Sequence, residues 1–461
     1  MASMSLNVND WSQEQFGRCE LGDRRRTARL VRYAAQAAAD PSSSTPRQTE
    51  CWDDCKAAYR LIEHEEVTFA AITSPHHHAT RARTEGTWLL ISDTTETHFP
   101  GKHVRGLGPT GNGGGRGFLL HSSLMVRPDG GEIVGLAAQV IHYRRPVKRD
   151  PGGAQRLRRE DRESVIWTRV VDQIGPAPEG VRFMHVFDRG GDQFELYCRM
   201  ARHNTGWVVR ACQLTRTILA PDGQRMAMSD YLAGLAVAGT YTLNLPANQK
   251  QMARTAEMEV RFGPLTIPRP KHISPWVKQS GIEEIAMWVV ETREINPPPG
   301  VKAARWVLLC SEKVGHFQAA WEALEPYEKR WLIEEFHKAL KTGCRLEERQ
   351  YETAKRLEAV TGVLSLVAVR LVQLKMLARN EPQRPAEQVV PQKWIHMLRS
   401  LRKRPPKAPW SVRDFYRELA KLGGFLGRKS DGEPGWMTLW HGFEKLHLCL
   451  RGADAYVRKC G

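Results

Sequence analysis

A chain of 461 residues with 41% hydrophobic and 26% charged side chains has material for two or three domains with their own cores. Its 68 Lys and Arg against 51 Asp and Glu leave a net charge of +17 and a pI near 9.6, a balance that suits a polyanionic partner, and the Arg-dominated spread over the whole length favours DNA over a local lipid patch. No run of about 18 apolar residues is evident, and the start lacks a basic segment followed by an apolar one, so neither a membrane span nor a secretory leader is expected.

In chain order, residues 8–70 predict a helical unit. Leu21 to Ala39 begins with Asp23 as an N-cap and carries Arg25, Arg26 and Arg29 within about one turn. The segment Pro41 to Pro46 breaks it, and Trp52 to Glu63 predicts a second helix. Nine scattered Cys point to free thiols in a reducing cytosol. Cys51 and Cys55 form C-x3-C with no second zinc-type pair, and His76, His77 and His78 after Pro75 predict a surface loop. Trp88 to Ser92 predicts a buried strand ending on Asp93, followed by strands at Gly117 to Val126 and Glu132 to Arg144 across a Pro128–Gly131 turn. The glycine-rich Gly108 to Gly117 lacks the lysine of a P-loop and predicts a flexible loop over a site. Residues 147–164 are polar and expected to be exposed, with a helix from Ser164 to Ile174. Val181 to Phe187 repeats the strand theme and ends on Asp188; Gly190 and Gly191 turn the chain into a helix near Asp192, and a strand at Gly206 to Gln213 carries Arg210. From about 215 to 310 short alternating runs predict a β-rich region. Tyr327 to Lys341 predicts one helix, Ala359 to Ala378 a core helix, Leu401 to Pro409 a basic linker or backbone-contacting loop, and the last 50 or so residues further helices, one ending at Gly423 and Gly424.

The chemistry concentrates in three carboxylates. Asp93 and Asp188 end two predicted strands, and strand neighbours lie about 4.8 Å apart, so the pair can share a site to which a packed helix adds Glu334. Singly, each Asp is accounted for by a turn or a helix cap. Three hard oxygen donors without a Cys or His set favour Mg²⁺ or Mn²⁺ over zinc. Tyr327, Arg330, Glu334 and Lys341, at offsets of three, four and seven, would line one side of a helix and set cations beside the carboxylate.

These residues resemble the bacterial DDE transposases of the insertion-sequence-4 family, the cut-and-paste type of transposon five. The signature Y-x2-R-x3-E-x6-K is present as Tyr327, Arg330, Glu334 and Lys341. ISDTT around Asp93, FDRGGD around Asp188, LGDRRRTARL near the start and LGGF with a later GW and LW near the end extend the likeness over nearly the whole chain. The paired glycines after Asp188 depart from the pattern and are expected to loosen the loop there.

The resemblance implies an α/β fold. An RNase H-like catalytic core (71–378) with a β-rich insertion (about 214–310) would be flanked by a helical DNA-binding domain (1–70) and a helical C-terminal dimerisation domain (379–461). It implies Asp93, Asp188 and Glu334 as catalytic ligands of two Mg²⁺ ions, with Mn²⁺ able to substitute. DNA contacts would come from Tyr327, Arg330, Lys338, Lys341 and Arg210, from Arg25, Arg26 and Arg29, and from Trp306, stacked on a flipped base. The reaction implied is 3′ nicking, hairpin formation and opening, and strand transfer, by a cytoplasmic homodimer on double-stranded transposon ends and target DNA, with no membrane and no nucleotide cofactor. A non-cleaving end-binding regulator and an RNase H-like structure-selective nuclease are the alternatives.

Overall fold

The computed structural model describes residues 8–100, 104–111, 114–145, 152–245, 253–428 and 431–460. Five helices come first: α1 (Val8–Phe16), α2 (Arg24–Ala39), α3 (Thr45–Gln48), α4 (Trp52–Glu63) and α5 (Phe69–Arg81). Asp23 caps α2 by accepting the Arg25 N–H at 2.8 Å. The Leu30, Tyr33, Ala34 and Ala37 face of α2 is buried, and α1 and α4 pack on the helix. His76 to His78 are not in a loop, which corrects the expectation drawn from Pro75. The signal that wins is the four-residue spacing of Ile72, His76 and Thr80, all buried on one face of α5. Burial pushes His76 down to about 4, so it is neutral, and its Nε2 accepts the Leu136 N–H at 2.9 Å. Cys19, Cys51, Cys55, Cys198, Cys212, Cys310, Cys344 and Cys449 are free thiols.

The core sheet follows. Its strands are β1 (Gly86–His98), β2 (Gly108–Thr110), β3 (Gly115–Val126), β4 (Ile133–His142), β5 (Val181–Phe187) and β6 (Gly206–Arg210). Strands β4, β3 and β1 form an antiparallel meander, and β5 and β6 then add in parallel to β1. Parallel pairs need crossovers; α6 (Gly153–Arg158) and α7 (Val165–Ile174) connect β4 to β5, and α8 (Phe194–Arg202) connects β5 to β6. Three antiparallel strands followed by two parallel ones is the RNase H-like order that the sequence led us to expect. Two details differ. Strand β1 does not end at Asp93 but runs on to His98, because β3 continues to pair with it after β5 has stopped. The glycine-rich segment is a hairpin, with β2 antiparallel to β3; its residues 112–113, and residues 147–151 of the polar stretch, lie outside the described residues.

The β-rich region extends this sheet. It comprises β7 (Thr217–Leu219), β8 (Arg225–Ala227), α9 (Met228–Gly234), β9 (Gly239–Leu245), β10 (Arg254–Pro268), α10 (Pro275–Ser280), β11 (Glu284–Glu294) and β12 (Arg305–Cys310). Strand β12 pairs antiparallel with β6, Leu308 opposite Arg210, and joins the insertion to the core.

The remaining helices are α11 (Phe317–Glu328), α12 (Trp331–Lys338), α13 (Ala354–Asn380), α14 (Gln392–Ser400), α15 (Val412–Leu422) and α16 (Trp436–Cys460). The single helix expected over Tyr327 to Lys341 is in fact three pieces. Pro326, near the end of α11, has no N–H to continue the ladder. The chain passes to α12 through i→i−3 bonds, Arg330 N–H to Tyr327 O and Leu332 N–H to Lys329 O, both 3.0 Å. A π-helical turn then covers Ala339–Gly343. Helix α13 corrects a second expectation: it is long and apolar enough to cross a membrane, yet 89% of its apolar window is buried inside the fold, where it packs on α5 and β4. Helices α15 and α16 cross closely at glycines, since a Cβ on Gly442 would stand 2.0 Å from the Leu419 carbonyl oxygen.

Candidate active site

Strand pairing brings the two aspartates together. The parallel register of β1 and β5 ends at Ser92 opposite Phe187, so the next residue on each strand is Asp93 and Asp188, on neighbouring backbones about 4.8 Å apart. Helix α12 packs across β1 and supplies the third carboxylate. One guanidinium joins the set: Arg330 Nη1 donates to Asp93 Oδ2 at 3.2 Å, and its Nη2 donates to Glu334 Oε1. Asp93 Oδ1 accepts the Thr94 N–H at 2.7 Å, and Asp188 Oδ1 accepts the Gly190 N–H at 2.8 Å. Asp188 therefore also caps the short turn Arg189–Gly191, as a lone structural Asp would.

The electrostatics show crowding. Burial, then the charge of Asp188, raises the Asp93 carboxyl from 3.8 to about 6, against the lowering effect of the Thr94 N–H and of Arg330. Burial pulls Arg330 down, but Tyr327, Glu334 and Asp93 together outweigh it and hold the guanidinium above its usual range. Among the described residues, no group of three His, Cys, Asp or Glu side chains already converges in metal-ligating geometry. Glu334 is turned onto Arg330. The donor set nonetheless fits divalent ions, because the carboxylates repel one another and one protein cation already bridges two of them, as a metal ion would.

The paired glycines tighten the turn, contrary to expectation. A Cβ on Gly190 would lie 2.7 Å from the Trp167 ring and 3.1 Å from Asp188 Oδ1, and one on Gly191 would lie 2.4 Å from Phe187 Cβ. The turn is pressed onto α7, with no room for larger residues. Gly190→Ala is expected to cost about 1–3 kcal/mol by overpacking and to displace Asp188, with a lower melting temperature as the check.

Four supporting residues escaped the sequence reading. Asp192, buried at 1% side-chain exposure, accepts from Tyr197 Oη at 2.9 Å, from the Cys212 N–H at 2.8 Å and from Arg216 at 2.7 Å; it ties the turn after Asp188 to the exit of β6. Its place at the end of FDRGGD was the available signal. Thr94 Oγ1 meets His121 Nδ1 at 2.7 Å beneath Asp93. His121 and His337 are both pushed to about 3, chiefly by burial, so this layer is uncharged. No sequence pattern distinguished either histidine.

The predicted DNA contacts are differently placed. Tyr327 is buried, its ring edge-on to the half-buried Trp306 of β12 at 5.5 Å. Lys338 pairs with Glu335 at 3.3 Å and Lys341 with Glu347 at 3.1 Å. Arg210 reaches the Arg305 carbonyl at 3.4 Å. Arg25 is 92% exposed and pairs with Asp23 at 2.8 Å, Arg26 donates to the Leu21 carbonyl at 2.7 Å, and Arg29 pairs with the buried Asp54 at 2.8 Å.

Two family matches lie on the flanking helical regions. Residues 8–67 match the family described as Transposase DNA-binding, and residues 366–460 match the Transposase Tn5 dimerisation domain. Among solved structures, a piggyBac transposase synaptic complex with hairpin DNA is similar at 8% identity and a TM-score of 0.36, over 92% of this chain and 76% of that one.

Proposed function

We propose, on the premise that this chain is a Tn5-like transposase with a helical DNA-binding domain at its start and a helical dimerisation domain at its end, that it catalyses cut-and-paste transposition at Asp93, Asp188 and Glu334. The observation that carries the reading is the strand register that sets Asp93 beside Asp188, with Arg330 linking Asp93 to Glu334. In this reading the three carboxylates hold two Mg²⁺ ions, or Mn²⁺. When bound, such ions would activate a water or hydroxyl and stabilise the leaving oxygen of an in-line phosphoryl transfer.

The chain's own groups do the rest. Arg330 leaves the carboxylates as DNA arrives and turns to a phosphate, a bidentate acceptor of the same geometry. Lys338 and Lys341 exchange Glu335 and Glu347 for backbone phosphates. Arg210, which spans from β6 to the Arg305 carbonyl of β12, would add a further phosphate contact. One site can nick the 3′ end, form and open a hairpin, and join the end to target DNA, because each step is the same class of transfer. The test is a supercoiled plasmid bearing the repeats that flank this coding sequence. Excision that requires Mg²⁺ and both ends is expected. Tight binding without cutting would replace the reading by a regulator, and cutting without paired ends by a nuclease.

Trp306 would stack on a base flipped from the strained end. Trp306→Ala is then expected to spare the first nick and to weaken the hairpin step by about 1–3 kcal/mol, the worth of one base–aromatic stack. Gel analysis of nicked and hairpin products separates the two steps, and equal loss in both would remove the stacking role.

In the N-terminal domain, Arg24, Arg25 and Arg26 crowd the first turn of α2, the positive end of the helix dipole, where cations are unfavourable and anions welcome. Arg25→Ala is expected to lower the slope of log affinity against log salt by about 1, the signature of one lost phosphate contact. Filter binding over a salt series measures it, and an unchanged slope would place the contact elsewhere.

A further inference from the structure

Glu335 follows Glu334 in the chain but points the other way. It is 8% exposed, and three donors from three helices converge on it. Lys375 Nζ on α13 and the Trp436 indole N–H, from the first turn of α16, both donate to Oε2, and Lys338 Nζ donates to Oε1 at 3.3 Å. Burial pushes the carboxyl up, but these donors outweigh it and hold it below 4.5. The Lys375 ammonium also lies 4.2 Å from the centre of the Trp436 ring. Trp436 stacks on Trp440 at 4.7 Å, nearly parallel at 9°, and Trp440 lies so close on Gly343 that a Cβ there would meet its ring at 2.3 Å.

Helix α16 therefore grips both ends of the stretch that carries Glu334, Lys338 and Lys341. The grip at Gly343 is steric. The grip at Glu335 is polar, and a buried ion pair is a poor choice for stability alone, since apolar residues of equal volume serve as well or better. What the polar set adds is geometry. A helix whose carboxylate must meet an indole N–H and an ammonium at once has one permitted rotation about its axis, and that rotation decides where the adjacent Glu334 points.

We propose that Glu335 is a positioning residue: held by Lys375 and Trp436, it sets the orientation of Glu334 and makes it depend on α16 being docked. The helix that belongs to the dimerisation domain is thereby wired to one carboxylate of the active site and not to the two on the sheet. This rests on the reading of Glu334 as a metal ligand.

The test reads each carboxylate separately. The full chain is loaded with Fe²⁺ in place of Mg²⁺ and treated with ascorbate and peroxide, so that bound iron cuts the polypeptide beside its ligands. In the wild type, cuts are expected near residues 93, 188 and 334, all suppressed by excess Mg²⁺. No cutting in the wild type would sink the metal reading itself, and the proposal with it. In Glu335→Ala the cut near 334 is expected to fall about tenfold, the scale on which partners behind a metal ligand act, while the cuts near 93 and 188 persist. Trp436→Phe keeps the ring stack, loses only the donor, and should shift the pattern the same way; it decides the matter should Glu335→Ala fail to fold. Glu335→Gln, which still accepts from Trp436, should restore part of the lost cut. Wild-type cutting near 334 in a folded Glu335→Ala or in Trp436→Phe would overturn the proposal.

Discussion

Glu334→Ala is expected to bind transposon-end DNA as the wild type does and to lower strand cleavage by about 10²–10³-fold, the range for loss of one preorganised electrostatic stabiliser. The separation of the two effects follows from the layout. In the proposed reading, end binding belongs to the N-terminal helices, where Arg25 stands at the surface, whereas Glu334 lies on α12. In the same reading cleavage would depend on Glu334, whose partner Arg330 also holds Asp93. Removing Glu334 leaves the guanidinium on Asp93 alone, so the site loses a ligand and keeps a competing cation. Electrophoretic mobility shifts and plasmid nicking, run side by side, check it. Substantial cutting by the variant would take Glu334 out of the site.

The second large effect is on pH. The Asp93 carboxyl is raised from 3.8 to about 6 in the folded chain, so the folded state holds that proton more tightly than the unfolded state does. Its contribution to stability is therefore complete below 3.8 and is lost as pH rises through about 6. Two units correspond to about 3 kcal/mol, trimmed by solvent because the side chain is 22% exposed. Denaturant melts of the metal-free protein between pH 3.5 and pH 7, set against Asp93→Asn, isolate the term. The variant should be flatter with pH across that window; identical slopes would show that Asp93 is not crowded. A divalent ion held at Asp93, as proposed, would displace the same proton, so the Mg²⁺ concentration that half-stabilises the wild type should fall about tenfold per pH unit up to about 6 and then level off.

Both results turn on a juxtaposition that local sequence signals could only suggest. Asp93 and Asp188 were legible because each follows an apolar strand, and the Tyr327, Arg330, Glu334 and Lys341 spacing was legible as a motif. The capped start of α2, the meander around Pro128 to Gly131 and the long α13 were legible too, because capping, turn chemistry and hydrophobic run length are local properties. The histidines of α5 were misread because Pro75 is a loop signal locally, while the burial that makes His76 and His77 helical comes from β4 and α13, remote in the chain. The Gly190–Gly191 pair was misread for the same reason, since the ring that forbids a side chain there belongs to Trp167 on another helix.

By itself the sequence determined the charge, the elements and the identity of the acidic groups, each of which depends on residues within a few positions of one another. Only the tertiary structure decided that β1 outlasts β5, that Arg330 clasps two carboxylates, and that α16 holds Glu335. Those facts depend on which surfaces meet across gaps of up to several hundred residues. Packing settles that choice through the summed burial of whole faces, to which no single local pattern gives access.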